Sequence, residues 1–276
     1  MPPLDDVLDL LRCPQCGATL ARAGGAVRCG QGHSFDLARQ GYLSLLGGDA
    51  VHAGDSADMV AARELFLAAG HFEPLAEALA GALEVAPPLG CIVDLGAGTG
   101  WYLARLLDGL PDARGLALDV SKPALRRAAR AHPRMAAVAC DSWRPLPLGD
   151  GVAAAVLNVF APRNGPEIAR VLRPGGVALV VTPAPHHLGE LVEPLGLIGV
   201  DERKDERLAD QLAPRLEVDG RQELEWGLSL DRAAARDLVA MGPSAVHVPD
   251  LGERVAALPQ RVEATAAVTI TLVRSR

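Results

Sequence analysis

Residues 93–100 read Val-Asp-Leu-Gly-Ala-Gly-Thr-Gly, and their reading decides the fold. The apolar run Cys91-Ile92-Val93 ahead of them has the character of a buried parallel strand. Residues 101–110 behind them have the character of a helix, so Gly96, Gly98 and Gly100 sit at a strand-to-helix turn, where nucleotide-type ligands bind. Glycine suits such a turn because the backbone must bend sharply and let a ligand approach where a Cβ would collide. A dinucleotide fingerprint G-x-G-x-x-G beginning at Gly96 would need glycine where Trp101 stands, which disfavours NAD. A second apolar strand over 113–119 ends in Asp119, 23 residues after Gly96, where a carboxylate can accept hydrogen bonds from both ribose hydroxyls of a nucleoside. The alternative for Asp119 is an ordinary solvated strand end.

Outward from this stretch, strands and helices alternate. Strands are expected over 91–95, 113–119, 136–139, 152–160 and 177–182, with helices over 101–110, 122–132 and 166–172 between them. That rhythm implies an α/β protein with a parallel, doubly wound sheet. Upstream, Ser56 is placed to cap a helix over 57–69, and Pro74 opens a second helix to Glu84. Downstream, strands over 222–230 and 264–273 and a helix over 231–241 complete the sheet, while the charged stretch 201–215 reads as a solvated excursion.

The N-terminal segment carries a second signal. Cys13-Pro-Gln-Cys16 and Cys29-Gly-Gln-Gly-His33 supply three thiolates and one imidazole at the spacing of a zinc knuckle, with Gly17, Gly24 and Gly25 available for its turns. Four protein ligands close the coordination sphere, so the expected zinc is structural. The alternative is free cysteines packed as small hydrophobes, which is the expectation for Cys91 and Cys140 at strand positions. Residues 1–46 thus form an expected zinc-binding module, 47–56 a linker of small and polar residues, and 57–276 the main domain.

Composition is that of a globular protein, with 49% hydrophobic and 22% charged residues in 276. The first eleven residues carry Asp5, Asp6 and Asp9 and lack the regions of a secretory signal, and no run of about 18 apolar residues occurs. The expectation is a cytoplasmic protein with no membrane association. A net charge of −7 does not advertise nucleic-acid binding, but Arg12, Arg22, Arg28 and Arg39 face only Asp36 between residues 12 and 41.

The series D-x-G-x-G-x-G from Asp94 to Gly100 resembles motif I of the class I S-adenosylmethionine-dependent methyltransferases. A longer set of runs is similar to the 23S ribosomal RNA (guanine-N1)-methyltransferases, a family that includes macrolide-resistance enzymes of antibiotic producers. These runs are the Cys13/Cys16/Cys29/His33 set, Phe35-Asp36-x-Ala38-x-x-Gly41-Tyr42, Gly54-Asp55-Ser56-Ala57-x-Met59-x-x-Ala62-Arg63 and Ala69-Gly70-His71-Phe72-x-Pro74-Leu75. Leu118-Asp119-Val120-Ser121-Lys122, Arg173-Pro174-Gly175-Gly176 and Thr182-Pro183-x-Pro185-x-His187-Leu188 continue it as far as Leu191.

The resemblance implies a class I S-adenosylmethionine-dependent methyltransferase fold, a Rossmann-like doubly wound sheet with a small N-terminal zinc module that recognises 23S ribosomal RNA, and a homodimer. It makes Asp94 and Gly96 cofactor-binding residues of motif I, and places Gly98 and Thr99 at the methionine part of S-adenosylmethionine and Asp119 at the ribose. Asp141 and Ser142 fall at the adenine, and Phe72 and His187 on the cofactor side. Phe72 stands where the family often has tyrosine, and Thr99 where it often has an acid. Residues 158–162, Asn-Val-Phe-Ala-Pro, face the substrate and depart from the Asn/Asp-Pro-Pro-aromatic motif of amino-group methylases, which fits a ring nitrogen better. No general base identifies itself; Asp55 is the one candidate, and a helix-capping role competes with it. A small-molecule methyltransferase on the same fold is the alternative reading.

Overall fold

A computed structural model describes residues 3–47, 54–84, 90–197, 216–242, 248 and 250–275. At its centre lies strand β5 (Gly90–Leu95), buried from Cys91 onward. Its side chains alternate between two separate cores. Ile92 joins one, while Cys91, Val93 and Leu95 join the other, as the two-residue period of a strand covered on both faces requires. The strands β6 (Ala113–Asp119), β7 (Met135–Ala139), β8 (Ala153–Val159) and β9 (Leu172–Pro183) run parallel to it. With β4 (Leu43–Ser44), β10 (Leu216–Asp231) and β11 (Arg261–Ser275) the strand order is β10-β11-β9-β8-β5-β6-β7-β4, so the chain winds outward from β5 in both directions and leaves a crevice at the carboxyl ends of the central strands.

The sheet departs from a purely parallel one at one end. Strand β11 (Arg261–Ser275) is antiparallel to both β9 and β10 (Leu216–Asp231). The pattern of β10 is compatible with this, for Leu224, Trp226, Leu228 and Leu230 alternate with Glu223, Glu225 and Ser229. Such a strand buries one face only, as antiparallel ribbons do.

One face of the sheet carries the helices α1 (Ala57–Ala68), α2 (Glu73–Glu84), α3 (Trp101–Gly109) and α4 (Lys122–Ala131), and further along α6 (Gly189–Leu195), α7 (Arg232–Ala240) and α8 (Leu251–Ala257). The other face is covered by α5 (Gly165–Val171) and by the N-terminal segment. That segment holds a 3₁₀ turn at Leu8–Leu10, a small antiparallel sheet of β1 (Leu20–Ala23), β2 (Ala26–Cys29) and β3 (Ser34–Asp36), and the short strand β4 (Leu43–Ser44). Leu11, Val27, Phe35 and Leu43 share one core with Val93, Leu116, Leu118 and Val138. Strand β4 pairs in parallel with β7, and the Leu45 amide extends the pairing to the Ala139 carbonyl at 2.9 Å. The boundary expected at residue 46 therefore follows a strand of the large sheet. Residues 48–53 of the expected linker and the excursion 201–215 lie outside the described residues.

Gly100, which precedes α3, fixes how closely α3 and α4 approach. Its φ is +75°, and a Cβ there would lie 2.8 Å from Met135 Cε and 3.2 Å from Ala128 Cα. We expect Gly100→Ala to cost about 1–3 kcal/mol of stability, combining a left-handed backbone with overpacking. Gly109→Ala, in the last turn of α3 with nothing within 4 Å of the added Cβ, should be neutral or stabilising. Urea denaturation of both variants checks the pair, and equal midpoints would contradict this account.

Candidate active site and metal centre

The carboxyl ends of β5, β6, β8 and β9 open into a cleft of about 670 Å³. Its floor is the glycine loop. The Gly96 and Ala97 amides both donate to the Leu118 carbonyl, at 2.8 and 3.0 Å, and the Gly98 amide donates to Asp119 Oδ2 at 2.8 Å. Asp119 Oδ1 accepts from the Ser121 amide at 2.7 Å. The carboxylate is thus held by two backbone donors and keeps a lone pair on each oxygen for further donors. Burial raises the pKa of Asp119, and the two amide bonds oppose that rise. The solvated strand end considered above does not describe this residue.

Gly96 has φ +72°, and a Cβ on it would come within 2.5 Å of Ala161 Cβ. The loop after β8 therefore rests directly on the glycine loop. Asn158, buried in β8, locks the two together by donating from Nδ2 to the Leu95 carbonyl (3.3 Å) and the Pro162 carbonyl (2.9 Å). Phe160 is held with φ 53°, a conformation uncommon outside glycine, and its ring is exposed at the cleft.

All nine residues expected around the cofactor line this one cleft: Phe72, Asp94, Gly96, Gly98, Thr99, Asp119, Asp141, Ser142 and His187. Asp94 is buried at the end of β5, and burial together with the neighbouring Asp119 charge pushes its pKa up to about 8. Asp141 follows β7, whose end is set by the Cys140 amide donating to the Asp119 carbonyl at 3.0 Å. Its Oδ1 accepts from the Trp143 amide at 3.0 Å. Phe72 forms an edge-on aromatic wall with Trp226 and Phe160, their ring centroids 5.2 and 6.2 Å away. His187 places Nδ1 between the carbonyl and amide of Ala267, at 2.9 and 3.1 Å. Burial lowers its pKa to about 4, so the imidazole is neutral near pH 7.

Asp55 lines the same cleft, but its carboxylate pairs with Arg63, whose Nη2 donates to the Met241 carbonyl at 2.7 Å. The capping role falls to Ser56, whose Oγ accepts from the Met59 amide at 3.2 Å. Sequence reasoning gave Arg63 no role. It lies 178 residues from Met241, and no local pattern joins the two.

On the far face, the donor atoms of Cys13, Cys16, Cys29 and His33 lie within 4.8 Å of one another. Cys16 Sγ is 3.7 Å from Cys29 Sγ, and His33 Nδ1 is 3.5 and 3.4 Å from the sulfurs of Cys13 and Cys29. These edges suit a tetrahedron of zinc bonds of about 2.0–2.3 Å, with His33 ligating through Nδ1. Two matching turns present the donors. The Gly17 amide donates to the Cys13 carbonyl and the Gly32 amide to the Cys29 carbonyl, at 2.8 and 3.0 Å. Cys91 and Cys140 are buried free thiols, as expected of core positions.

The charge assigned to this segment needs correction. Over residues 1–46 its four arginines are matched by Asp5, Asp6, Asp9 and Asp36. Arg22 pairs with Asp5 at 3.6 Å, and Arg12 donates to the carbonyls of Asp9 and Leu11. Three thiolates around one divalent ion leave the centre about −1 overall. Counting from residue 12 omitted Asp5, Asp6 and Asp9, of which Asp5 folds back onto Arg22.

Two outcomes follow. Protein purified without added zinc should carry about one zinc per chain, and Cys16→Ala should lose it together with the order of the N-terminal segment. Metal analysis decides this, and full zinc retention in the variant would refute the ligand set. Asp94, with an ordinary pKa of 3.8 and a folded value of about 8, binds its proton more tightly in the native state. The contribution of Asp94 to native stability therefore falls as pH rises from about 4 to 8. Asp94→Asn removes the charge, so the ligand-free variant should be more stable than the parent at pH 8 and nearly equal to it at pH 4. Parallel melting profiles across that window would exclude Asp94 as the source.

Comparison with known proteins fits this geometry. Residues 11–50 match the zinc-ribbon model described as "RlmA, N-terminal", and residues 92–176 match a methyltransferase domain model. A 23S rRNA (guanine(748)-N(1))-methyltransferase of Streptomyces fradiae is 53% identical over 98% of each chain. A putative 23S rRNA (guanine-N(1)-)-methyltransferase of Micromonospora griseorubida is also 53% identical over 98% of each chain. A solved S-adenosylmethionine-dependent methyltransferase from Anabaena variabilis shares the fold, with a TM-score of 0.50 at 16% identity over 83% of this chain and 99% of its own. With a zinc ribbon on one face of a class I methyltransferase sheet and near-full-length relatives of one kind, the chain belongs to the 23S rRNA (guanine-N1)-methyltransferase family.

Proposed function

We propose that the protein transfers a methyl group from S-adenosylmethionine to N1 of a guanine in 23S ribosomal RNA. The observation that carries this reading is that the family relation runs the length of the chain, through the zinc segment as well as the cleft. The small-molecule alternative leaves the zinc ribbon poorly explained. A ribosomal substrate goes with a cytoplasmic location, and among the described residues no helix is long and apolar enough to cross a membrane.

The residues of the cleft fit the cofactor. Asp119 is positioned to accept from the ribose hydroxyls, Asp141 and Ser142 flank the adenine position, and Gly96, Gly98 and Thr99 leave room for the methionine part. Phe72 and His187 form an apolar, neutral wall. S-adenosylmethionine, when bound, supplies an electrophilic sulfonium methyl. The chain contributes alignment, which can account for most of the acceleration of an in-line displacement. Phe72, Phe160 and Trp143 supply apolar surface to the cleft. Asp94 and Asp119 repel each other in the ligand-free cleft, and a cationic cofactor offsets that repulsion. The zinc centre is closed by four protein ligands and acts structurally.

Hydrogen bonds to a charged acceptor contribute roughly 1.5–3 kcal/mol each, so Asp119→Ala should weaken S-adenosylmethionine binding at least about tenfold by calorimetry. NAD should not bind the parent protein. Incubation with labelled S-adenosylmethionine and undermethylated ribosomal RNA should place label on guanine N1, and the variant should label far less. Label confined to small molecules, with none in RNA, would replace this reading with the small-molecule one.

A further inference from the structure

Between Asp119 and Asp141 the chain carries Lys122, Arg126, Arg127, Arg130 and Arg134 and no acid, in a protein whose net charge is −7. The structure sorts these five. Arg127 pairs with Glu64 of α1 at 3.1 Å. Arg134 donates to the carbonyls of Leu110 and Pro111, at 2.6 and 3.0 Å, and so caps the end of α3. Lys122, Arg126 and Arg130 remain, all exposed on α4, and among the described residues none of them meets a carboxylate within 4.0 Å. Their spacing of four residues puts them in one stripe, with steps of about 6 Å along the helix. The opposite face of α4, Ala124, Leu125 and Ala128, is buried against the sheet. Like charges at this spacing repel one another, and nothing within the described chain compensates them.

The stripe also runs between the two sites already described. At one end Ser121, two residues after Asp119, caps α4 and donates from Oγ to the Asp55 carbonyl at 2.7 Å, so Lys122 stands beside the cleft. At the other end α4 packs on the turn that follows the zinc ribbon. A Cβ on Gly41 would lie 3.8 Å from Ala129 Cβ, and Arg39 is exposed just before it.

Resting on the proposed ribosomal RNA reading, we propose that the Lys122–Arg126–Arg130 stripe of α4 is a phosphate-binding surface that guides the RNA strand between the zinc ribbon and the cleft. It supplies the net local positive charge that the zinc segment, with four arginines and four aspartates over residues 1–46, does not. Contacts of this kind position the nucleic acid without reading its bases.

The test compares the zinc-loaded parent, the triple variant K122Q/R126Q/R130Q and a charge-matched control, R221Q/R236Q/R261Q, changed on the β10–β11 side of the sheet. Glutamine keeps helix propensity, and unchanged S-adenosylmethionine affinity and zinc content show that each protein is folded. Binding of a 23S ribosomal RNA fragment is measured from low to moderate salt. Each phosphate contact contributes about 0.7–0.9 to the slope of log affinity against log salt, so the triple variant should flatten that slope by about two. Its affinity at low salt should drop at least about tenfold, while the control stays near the parent. Equal slopes in the triple variant and the parent would overturn the assignment while leaving the RNA reading intact. A comparable loss in the control would also overturn it, since net charge rather than this surface would be responsible. Failure of the parent to bind or methylate the RNA would defeat the underlying reading as well.

Discussion

Three backbone amides of one loop, donated to the end of a neighbouring strand, organise the cleft. Gly96 and Ala97 share the Leu118 carbonyl, and Gly98 takes the Asp119 carboxylate, so the turn after β5 is stapled to β6 before any ligand arrives. The loop after β8 then rests on Gly96, and Asn158 ties it down through the Leu95 and Pro162 carbonyls. Buried groups held this way need little reorganisation when a ligand arrives, which is what preorganised sites require. The same staple brings Asp119 close to the buried Asp94, an arrangement unfavourable to the empty fold and favourable to a cationic guest.

The parts of this arrangement legible in the sequence are those with short-range physics. The glycine series, Asp119 at the end of an apolar strand and the Cys/His spacing each state a local constraint, and the structure gathers those residues into one cleft and one tetrahedral cluster. Contacts that depend on distant segments were not legible. Arg63 meets Asp55 through a helix turn and Met241 through the whole length of the sheet domain. The antiparallel course of β11 depends on how β10 pairs, which alternation in β10 hints at without specifying direction.

Charge was the least legible property, because arithmetic along a sequence window ignores folding back. The Asp5 carboxylate returns to Arg22 of the zinc ribbon and the Asp9 carbonyl to Arg12, while Lys122, Arg126 and Arg130 of α4 meet no carboxylate within 4.0 Å among the described residues. Burial was easier to read, since the apolar runs Cys91–Val93 in β5 and Leu116–Leu118 in β6 already demand cover on both faces. What supplies the second cover, the zinc-bearing segment with α5, is set by packing between distant parts of the chain.

The place of β4 has a consequence for the colloidal behaviour of the protein. An eight-stranded sheet has two outer edges, each a row of unpaired donors and acceptors that invites another chain. At the β10 edge, Glu217, Asp219, Arg221, Glu223 and Glu225 set charge along the strand, a common safeguard. At the other, β7 is Met-Ala-Ala-Val-Ala, fully buried and without a charge of its own, and its protection is the two-residue strand β4 at the end of the zinc-bearing segment. Because β4 belongs to the segment that carries the metal ligands, stripping the metal is expected to bare an apolar, hydrogen-bond-hungry rim to its neighbours in solution.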